Sequence, residues 1–395
     1  MESISKKRVL LANVNIVGQK GPKHIYIEGA SIGRVADATG VLSPADTDRS
    51  IFFDNAIAFP GLINSHDHLD FNLFHQLKNN DYKSYRQWGE DIHKGNHAGI
   101  QQVLNIPKQL RTQWGIYKNL LNGITTVVNH GAKQPITNDL IDVYQRVDSF
   151  HSISGEKNWR LKLMNPFRKN YPVAIHIGEG TDAAAAKEID ELLAWNILHR
   201  PLTGIHGIAM NAQQAADFAA LVWCPDSNCF LYGKTAAIDQ LKEKTKIVFG
   251  TDATLTANWN LWEHLRLARI LHMLDDAALW DTVTTTPANL WGFQDSGRIE
   301  KGFRADMVVA RSAADNWNAL YALNPEDILL ILHKGNVRLF DQSVYDQLAK
   351  ASFSMDDFYK IQVGANVKYI QGNLPALMDE IRQYHPNVHF PIAAK

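Results

Sequence analysis

The sequence predicts an α/β fold: a (β/α)8 TIM-like barrel, flanked by a small β domain built from both chain ends. From residue 58 to residue 294, apolar strand-like segments alternate with longer helical ones, and this span of about 237 residues suits such a barrel. The apolar runs are nearly continuous, which indicates parallel strands buried on both faces. Short segments rich in β-branched and aromatic residues occur at both ends of the chain.

The predicted domains follow from these changes of pattern. Residues 1–57 form the first part of the β domain, residues 58–294 the barrel, and residues 295–395 the second part of the β domain with a tail. In the first part, glycine, asparagine and aspartate separate short runs such as R-V-L-L-A-N-V-N-I-V and H-I-Y-I-E-G. Short strands return after residue 296, in A-D-M-V-V-A and I-L-L-I-L-H.

Eight segments are predicted as barrel strands. In chain order they are G-L-I-N-S-H (61–66), G-I-T-T-V-V-N (123–129), S-F-H-S-I-S (149–154), R-L-K-L-M-N (160–165), P-V-A-I-H-I (172–177), T-G-I-H-G-I (203–208), A-L-V-W-C-P (220–225) and K-I-V-F-G-T-D (246–252). The alternating series also includes D-L-I-D-V-Y-Q-R-V (139–147), and the main helices are expected near 105–121, 183–195, 235–243 and 261–275. The chain between Val128 and Pro172 is short for the units that a complete barrel needs, so we expect one truncated βα unit there.

Composition and charge argue against several classes of protein. Apolar residues make up 45% of the chain and the formal net charge is −1, so nothing recommends a nucleic acid or an anionic membrane as partner. No run of 18 apolar residues indicates a membrane span, and the N-terminus lacks the apolar region of a signal peptide. Two cysteines, Cys224 and Cys229, favour a reducing compartment. We therefore predict a cytoplasmic protein, with a homodimer as the default oligomer.

The segment A-F-P-G-L-I-N-S-H-D-H-L-D, from Ala58 to Asp70, ends an apolar strand with two histidines. Residues two apart in a strand point to the same face, so His66 and His68 aim together while Asp67 aims the opposite way. At the carboxyl end of a barrel strand, where barrel active sites lie, such a pair can bind a divalent transition metal through neutral imidazole. Pairs of this kind also occur on protein surfaces, and that interpretation stays open at this point.

Three further apolar strands each end in a polar residue. V-A-I-H-I-G-E places His176 at a strand end, T-G-I-H-G places His206, and I-V-F-G-T-D places Asp252. A buried histidine that hydrogen-bonds to the backbone would explain any one of the histidines. It does not easily explain why all these residues reach the same rim, so we expect them to share a site.

Several sequence blocks together resemble the amidohydrolase superfamily. They occur in family order from about residue 55 to 310: P-G-L-I-N-S-H-D-H, G-I-T-T-V, H-I-G-E, C-P-D-S-N, G-T-D and G-R-I-E-K-G-F-R-A-D-M-V-V. Within the superfamily they are most similar to the branch of cytosine-deaminase-like and chlorohydrolase-like (ATZ/TRZ) aminohydrolases. The resemblance implies a (β/α)8 barrel with a composite β-sandwich formed by both termini.

The resemblance also implies roles for individual residues. The expected ligands of one metal ion, Zn²⁺ or Fe²⁺, are His66, His68, His176 and Asp252. Glu179 matches the proton-shuttling glutamate of the family, and His206 matches the histidine that hydrogen-bonds the substrate or the attacking water. Asp252 would also accept the proton of that water. A second metal would need a lysine at the end of the fourth strand, whereas Lys162 lies inside R-L-K-L-M-N, so a single metal is expected.

The pocket wall is predicted from the segment 70–90, which follows the H-x-H strand and should cover the barrel mouth. Side chains suited to stacking on a planar ring are Phe71, His75, Tyr85 and Trp88; a packed lid helix is the alternative for each. His130, at the end of the second strand, either lines the pocket or makes a structural hydrogen bond. Ser227 and Asn228 resemble a family turn near the pocket.

The leading functional hypothesis is hydrolytic deamination of an amino-substituted heterocycle, such as a pyrimidine, purine, pterin or triazine. An alternative keeps the same mononuclear site and hydrolyses a cyclic amide or a peptide-like bond. A third reading is a barrel that has lost catalysis and serves as a scaffold. Glu179 favours deamination, because protonation of a ring nitrogen needs an acid at that place.

Overall fold

The computed structural model describes residues 8–39 and 50–394. The start of the chain, on which the prediction about a signal peptide depends, includes residues 1–7 and so lies partly outside the described part. Within the described ranges, no helix is long and apolar enough to cross a lipid bilayer.

The largest sheet joins the two ends of the chain. Its strands from the first part of the chain are β1 (Arg8–Ile16), β2 (Lys23–Glu28), β3 (Ser31–Asp37), β4 (Ser50–Phe52) and β5 (Ala56–Pro60). Its strands from the last part are β14 (Met307–Arg311), β15 (Ile328–His333), β16 (Asn336–Asp341), β17 (Phe358–Val363), β18 (Asn366–Gln371) and β19 (Ala393–Ala394). The junction is β5, which pairs in parallel with β1 and antiparallel with β14.

Parallel strands occupy the middle of the chain. They are β6 (Leu62–Asp67), β7 (Ile124–Asn129), β8 (Asp142–Tyr144), β9 (Asp148–Phe150), β10 (Val173–Ile177), β11 (Leu202–His206), β12 (Ala220–Trp223) and β13 (Lys246–Phe249). One sheet has the order β6-β7-β8 and the other the order β13-β12-β11-β10-β9. Every pairing within these two sheets is parallel, which confirms the α/β class.

The first and last of these strands meet at their carboxyl ends. Asp67 and Asp252 form a parallel bridge there. The backbone carbonyl of His66 accepts hydrogen bonds from the backbone N–H groups of Thr251 and Asp252, at 3.1 and 3.0 Å. This junction brings the H-x-H motif next to Asp252.

Helices connect the parallel strands and follow them. They are α1 (Tyr85–Gly95), α2 (His97–Leu104), α3 (Lys108–Leu121), α4 (Trp159–Leu163), α5 (Ala183–Trp195), α6 (Ala212–Ala215), α7 (Pro225–Tyr232), α8 (Ile238–Leu241), α9 (Leu261–Ile270), α10 (Asp276–Asp281), α11 (Thr285–Trp291), α12 (Trp317–Tyr321), α13 (Tyr345–Lys350) and α14 (Leu374–Tyr384). The alanine-rich start of α5 has high helix propensity, and Asp182 caps it by accepting a hydrogen bond from the backbone of Ala185.

Helix α3 packs unusually close to the end of the first parallel strand. Gly115 makes this approach feasible, because a Cβ at that position would overlap the backbone carbonyl of Leu69. Most side chains of α3 are therefore buried, including Trp114 and Lys118. The helix thus places buried polar side chains against the H-x-H segment.

The region between β7 and β10 differs from the prediction. The segment 160–165 is not a strand, because its residues belong largely to helix α4. Trp159 and Leu163, four residues apart, are buried while Leu161 is 69% exposed, so the apparent alternation of leucines hides a helical face. The strand in its place is β8, which lies inside D-L-I-D-V-Y-Q-R-V, and only residues 145–147 separate it from β9. No helix fits in that interval, which accounts for the shortage of residues there.

Candidate metal centre and active site

The candidate site forms where several parallel strands end. His66 lies in β6 with His68 just beyond it, His176 lies in β10, and His206 is the last residue of β11. Asp252 follows β13 by three residues. Because the carboxyl ends of neighbouring parallel strands meet at one edge, these five side chains converge.

The potential ligand atoms are closely spaced. Nε2 of His176 lies 3.3 Å from Nε2 of His66 and 3.4 Å from Nε2 of His68. Oδ1 of Asp252 lies 3.4 Å from Nε2 of His66 and 3.7 Å from Nε2 of His68. Ligand atoms of His66, His176 and His206 also lie within 4.8 Å of one another. Donors bound to one tetrahedral Zn²⁺ at 2.0–2.2 Å are about 3.4 Å apart, and each of the four measured pairs is close to that spacing. His66, His68 and Asp252 form one compact group of ligand atoms, and His66, His176 and His206 form a second.

The protonation of the donors suits a cation. Burial and the neighbouring imidazoles lower the pKa of His68 to about 3 and hold the pKa of His176 well below its ordinary value, so both rings are neutral near pH 7. Burial raises the pKa of Asp252, but the surrounding histidines outweigh this effect and keep that pKa well below its usual range. Neutral imidazoles beside an ionised carboxylate are the donor set that Zn²⁺ prefers.

Hydrogen bonds orient these donors. Nδ1 of His176 donates to the backbone carbonyl of His151 at 2.7 Å, which leaves the lone pair of Nε2 free. Oδ2 of Asp252 accepts hydrogen bonds from Oγ of Ser227 at 2.8 Å and from Oγ1 of Thr256 at 2.9 Å, so Oδ1 is the oxygen that faces the imidazoles. The residues present therefore fit a divalent metal ion such as Zn²⁺.

Glu179 and His206 stand beside the donor cluster. Nδ1 of His206 donates to Oδ1 of Asn228 at 2.8 Å, and Nε2 lies 3.7 Å from Oε2 of Glu179. The other oxygen of Glu179 accepts a hydrogen bond from the hydroxyl of Tyr232 at 3.2 Å. Burial and the charge of Asp252 raise the pKa of Glu179 well above its ordinary value, whereas burial lowers the pKa of His206 to about 4. A carboxyl with a raised pKa thus faces an imidazole with a lowered pKa.

A cavity of about 460 Å³ opens onto these residues. Of the predicted wall residues, Phe71, Tyr85, Trp88 and His130 line it. Trp88 also donates its indole N–H to the carbonyl of Leu77 at 2.8 Å. The cavity is large enough for a heterocycle with a substituent.

His75 and His130 differ in their position relative to the cavity. His75 is exposed and is not one of the cavity-lining residues. His130 is buried, its ring centroid lies 4.5 Å from that of His176, and within residues 8–39 and 50–394 its Nε2 has no hydrogen-bond partner. The structure therefore places His130 at the site and His75 outside it.

A family model described as the amidohydrolase family matches residues 167–338. This match runs from just before β10 into β16, and thus includes His176, Glu179, His206 and Asp252.

Over this range the chain is similar to the amidohydrolase family.

Curated relatives agree with the resemblance seen in the motifs. Two curated proteins are named 5-methylthioadenosine/S-adenosylhomocysteine deaminase. The one from Dictyoglomus turgidum is 22% identical and the alignment covers 76% of this chain and 84% of that protein. The one from Caldanaerobacter subterraneus subsp. tengcongensis is 21% identical with the same coverage of both chains.

Solved structures with a similar fold include several enzymes. An adenosine deaminase from Xanthomonas campestris with bound zinc has a TM-score of 0.68 at 16% identity and covers 96% of this chain and 98% of its own. Atrazine chlorohydrolase TrzN from Arthrobacter aurescens TC1, complexed with zinc, has a TM-score of 0.65 at 16% identity, covering 87% of this chain and 100% of its own. Guanine deaminase from C. acetobutylicum has a TM-score of 0.62 at 13% identity, with 84% and 99% covered.

Sequence patterns do not identify some of the residues at the site. Tyr232 lies one helical turn after Asn228 in α7, and this spacing puts both side chains on the face that meets the site. His151 and Thr256 follow strands β9 and β13. Ser227, which resembled only a family turn, contacts Asp252 directly. Lys162 lies in α4, with Nζ 3.0 Å from Glu156, and does not end a strand.

Proposed function

We propose that this protein is a metal-dependent amidohydrolase that removes an amino group from a heterocycle by hydrolysis. The observation that carries the proposal is the position of Glu179, a buried carboxyl with a raised pKa beside the histidine–aspartate cluster. The names of the curated relatives and of two structural neighbours support the same reaction class. The reaction converts a ring C–NH₂ and water into a ring carbonyl and ammonia.

In this proposal one divalent ion is held by His66, His68, His176 and Asp252. Zinc is favoured because two structural neighbours were solved with zinc, although Fe²⁺ accepts the same donors. When bound, such an ion polarises water and lowers its pKa toward 7, which supplies a nucleophile at neutral pH. His206 is assigned to the reacting groups because its Nε2 faces Glu179.

The protein side chains then move the protons. Asp252 accepts a proton from the attacking water, because its Oδ2 is held by two hydroxyls while Oδ1 faces the cluster. Glu179 enters the reaction protonated and donates to a ring nitrogen, which makes the carbon attached to the amino group more electrophilic. Glu179 then helps to carry a second proton to the leaving amine. His206 orients the water or stabilises the developing oxyanion.

The heterocycle would lie in the cavity against Phe71 and Trp88, with His130 at its metal-facing end. An aromatic wall stabilises a planar ring by stacking. The exposed His75 does not take part in this proposal.

We also propose the complete architecture. Strands β6 to β13 would close into one eight-stranded barrel over residues 58–294, and residues 1–57 and 295–395 would build a composite β-sandwich. The bridge between Asp67 and Asp252 and the two parallel strand orders support this closure. The cytoplasmic location and the homodimer stay predictions from the sequence alone.

A coupled ammonia assay over nucleobases, nucleosides, pterins and triazines tests the function, with protein reconstituted separately with Zn²⁺ and Fe²⁺. We expect ammonia release from at least one substrate class, dependent on the metal. A cyclic-amide panel on the same samples tests the alternative: ring opening without ammonia release would replace deamination. A protein that binds metal and turns over nothing in either panel would favour the scaffold reading.

A further inference from the structure

The middle residue of the H-x-H motif belongs to a buried polar network outside the cavity. Oδ2 of Asp67 lies 2.8 Å from Nζ of Lys118 in α3, and both side chains are almost completely buried. The same oxygen accepts hydrogen bonds from Nδ2 of Asn119 at 2.9 Å and Nδ2 of Asn64 at 3.1 Å. Oδ1 accepts one from Nδ2 of Asn72 at 2.7 Å. The carboxylate and the ammonium therefore compensate each other in the interior.

Thr251 extends this network to the last parallel strand. Its hydroxyl oxygen lies 3.1 Å from Nζ of Lys118, 3.2 Å from Oδ2 of Asp67 and 2.7 Å from Nδ2 of Asn64. The backbone N–H of Thr251 donates to Oδ1 of Asn64 at 3.1 Å. One polar cluster thus ties together β6, helix α3 and the segment after β13.

The same junction carries proposed metal ligands. The backbone N–H of Asp252 donates to the carbonyl of His66 at 3.0 Å, and that of His68 donates to the carbonyl of Asp252 at 3.4 Å. Asp252 has a φ of 59°, which lies in the left-handed region. This conformation is unfavourable for any residue that carries a Cβ, and it persists only when the surrounding structure holds it. Three of the four proposed ligands, His66, His68 and Asp252, are therefore neighbours in sequence of Asp67 or Thr251, which belong to the polar network.

We propose that the ion pair of Asp67 and Lys118 positions the metal centre by holding His66, His68 and Asp252 in place from the side opposite the cavity. The inference rests on the metal centre of the proposed function. Neither Asp67 nor Lys118 lines the cavity, so the pair acts through the ligands and touches no substrate.

The physical reason is the charge left behind when one partner is removed. Without Lys118, the carboxylate of Asp67 would be buried without a compensating cation, and it would reorient or admit water. Either change would shift the backbone between His66 and His68. Residues that orient metal ligands typically contribute 10- to 100-fold to metal affinity.

The test compares Zn²⁺ dissociation constants of the full-length wild type and Lys118→Met, measured by competition with a chromophoric chelator at a temperature where both remain folded. We expect the variant to bind Zn²⁺ about 10- to 100-fold more weakly. A dissociation constant equal to that of the wild type would overturn the inference.

Lys368→Met is the matched control. Lys368 in β18 is also buried, and its Nζ lies 3.1 Å from Asp341 in β16, within the large sheet. This variant should lose stability toward denaturant and keep the wild-type affinity for Zn²⁺. An equal loss of affinity in both variants would mean that any buried ion pair affects the site through stability alone, and would overturn the inference.

A milder variant covers the case in which Lys118→Met does not fold. Thr251→Val keeps the side-chain shape and removes the hydroxyl from the network; weaker Zn²⁺ binding is expected, and unchanged binding would overturn the inference. The proposed function fails separately: a wild type that binds Zn²⁺, with the expected loss in Lys118→Met but no ammonia release, supports the positioning role and contradicts deamination. A wild type that binds no Zn²⁺ contradicts both.

Discussion

Two buried carboxyl groups, Glu179 and Asp252, line the same cavity and differ in their affinity for protons. Burial raises the pKa of both groups. For Asp252 the nearby histidines reverse the effect, whereas for Glu179 the charge of Asp252 adds to it. Two carboxyls with opposite shifts can serve as acid and base in one reaction. The difference arises from position: Oδ1 of Asp252 lies 3.4 Å from an imidazole, and Oε1 of Glu179 faces a tyrosine hydroxyl.

Replacing Glu179 by glutamine tests this assignment. The amide keeps the shape of the side chain and cannot carry the proton, so we expect kcat to fall by about 10²- to 10⁴-fold while the metal content stays at the wild-type level. The measurements are steady-state ammonia release and metal analysis on the same preparation. Undiminished kcat would mean that another group carries the proton.

At the scale of single residues, the sequence was most informative where a polar side chain ended an apolar strand. His176, His206 and Asp252 are predicted in that way, because each lies at or near the end of a strand and parallel strands end at one rim. Lys118 and Tyr232 carry no such signal. Both lie in helices, and their importance depends on what the fold brings opposite them, a carboxylate in each case.

At the scale of elements, strand β8 could not be predicted from the local sequence pattern. Its three residues, Asp142 to Tyr144, are only partly buried, so they form no apolar run. Ion pairs hold the strand in place instead: the carboxylate of Asp142 lies 2.7 Å from Arg304 and 2.5 Å from Lys334. These partners lie more than 150 residues away along the chain, and no local pattern reveals them.

His333, the last residue of β15, lies beside the carboxylate of Asp142 in β8, so we expect this contact to depend on pH. Its Nδ1 lies 3.0 Å from Asp306 and its Nε2 lies 3.6 Å from Asp142, while Arg304 and Lys334 face the same carboxylates. Burial lowers the pKa of His333, but the two carboxylates outweigh it and the pKa lies above the ordinary value of 6.5. The protonated histidine therefore stabilises the folded state.

We expect this contribution to be complete below about pH 6.5, where the unfolded state also binds the proton, and to disappear as pH rises through the higher folded pKa. The measurement is the free energy of unfolding of the wild type minus that of His333→Gln, from urea titrations at several pH values. Because both proteins share every other titrating group, the difference should shrink at alkaline pH. A difference that grows with pH would contradict the assignment.

At the scale of the whole molecule, the composition and patterning predicted the α/β class and a β domain that draws on both chain ends. The structure adds that both ends share a single sheet, in which β5 is held between β1 and β14. The substrate could not be predicted, because the cavity wall combines residues from separate segments, among them Phe71, His130 and His151. Their juxtaposition exists only in the folded chain.

Metal binding should stabilise the whole molecule, since the donors come together only in the folded state. At a Zn²⁺ concentration 100-fold above the dissociation constant, the gain is about 2.7 kcal/mol, visible as a higher midpoint of thermal unfolding. His66→Ala should abolish the increase. His75→Ala, which changes an exposed histidine outside the cavity, should retain it. Equal increases in both variants would place the stabilising zinc elsewhere.

The most direct measurement is anomalous X-ray diffraction at the zinc absorption edge from crystals of the zinc-loaded protein. One strong peak is predicted, about 2.0–2.2 Å from Nε2 of His66, His68 and His176 and from Oδ1 of Asp252. A peak bound by other residues, or no peak within reach of these four atoms, would contradict the metal centre on which the proposed reaction depends.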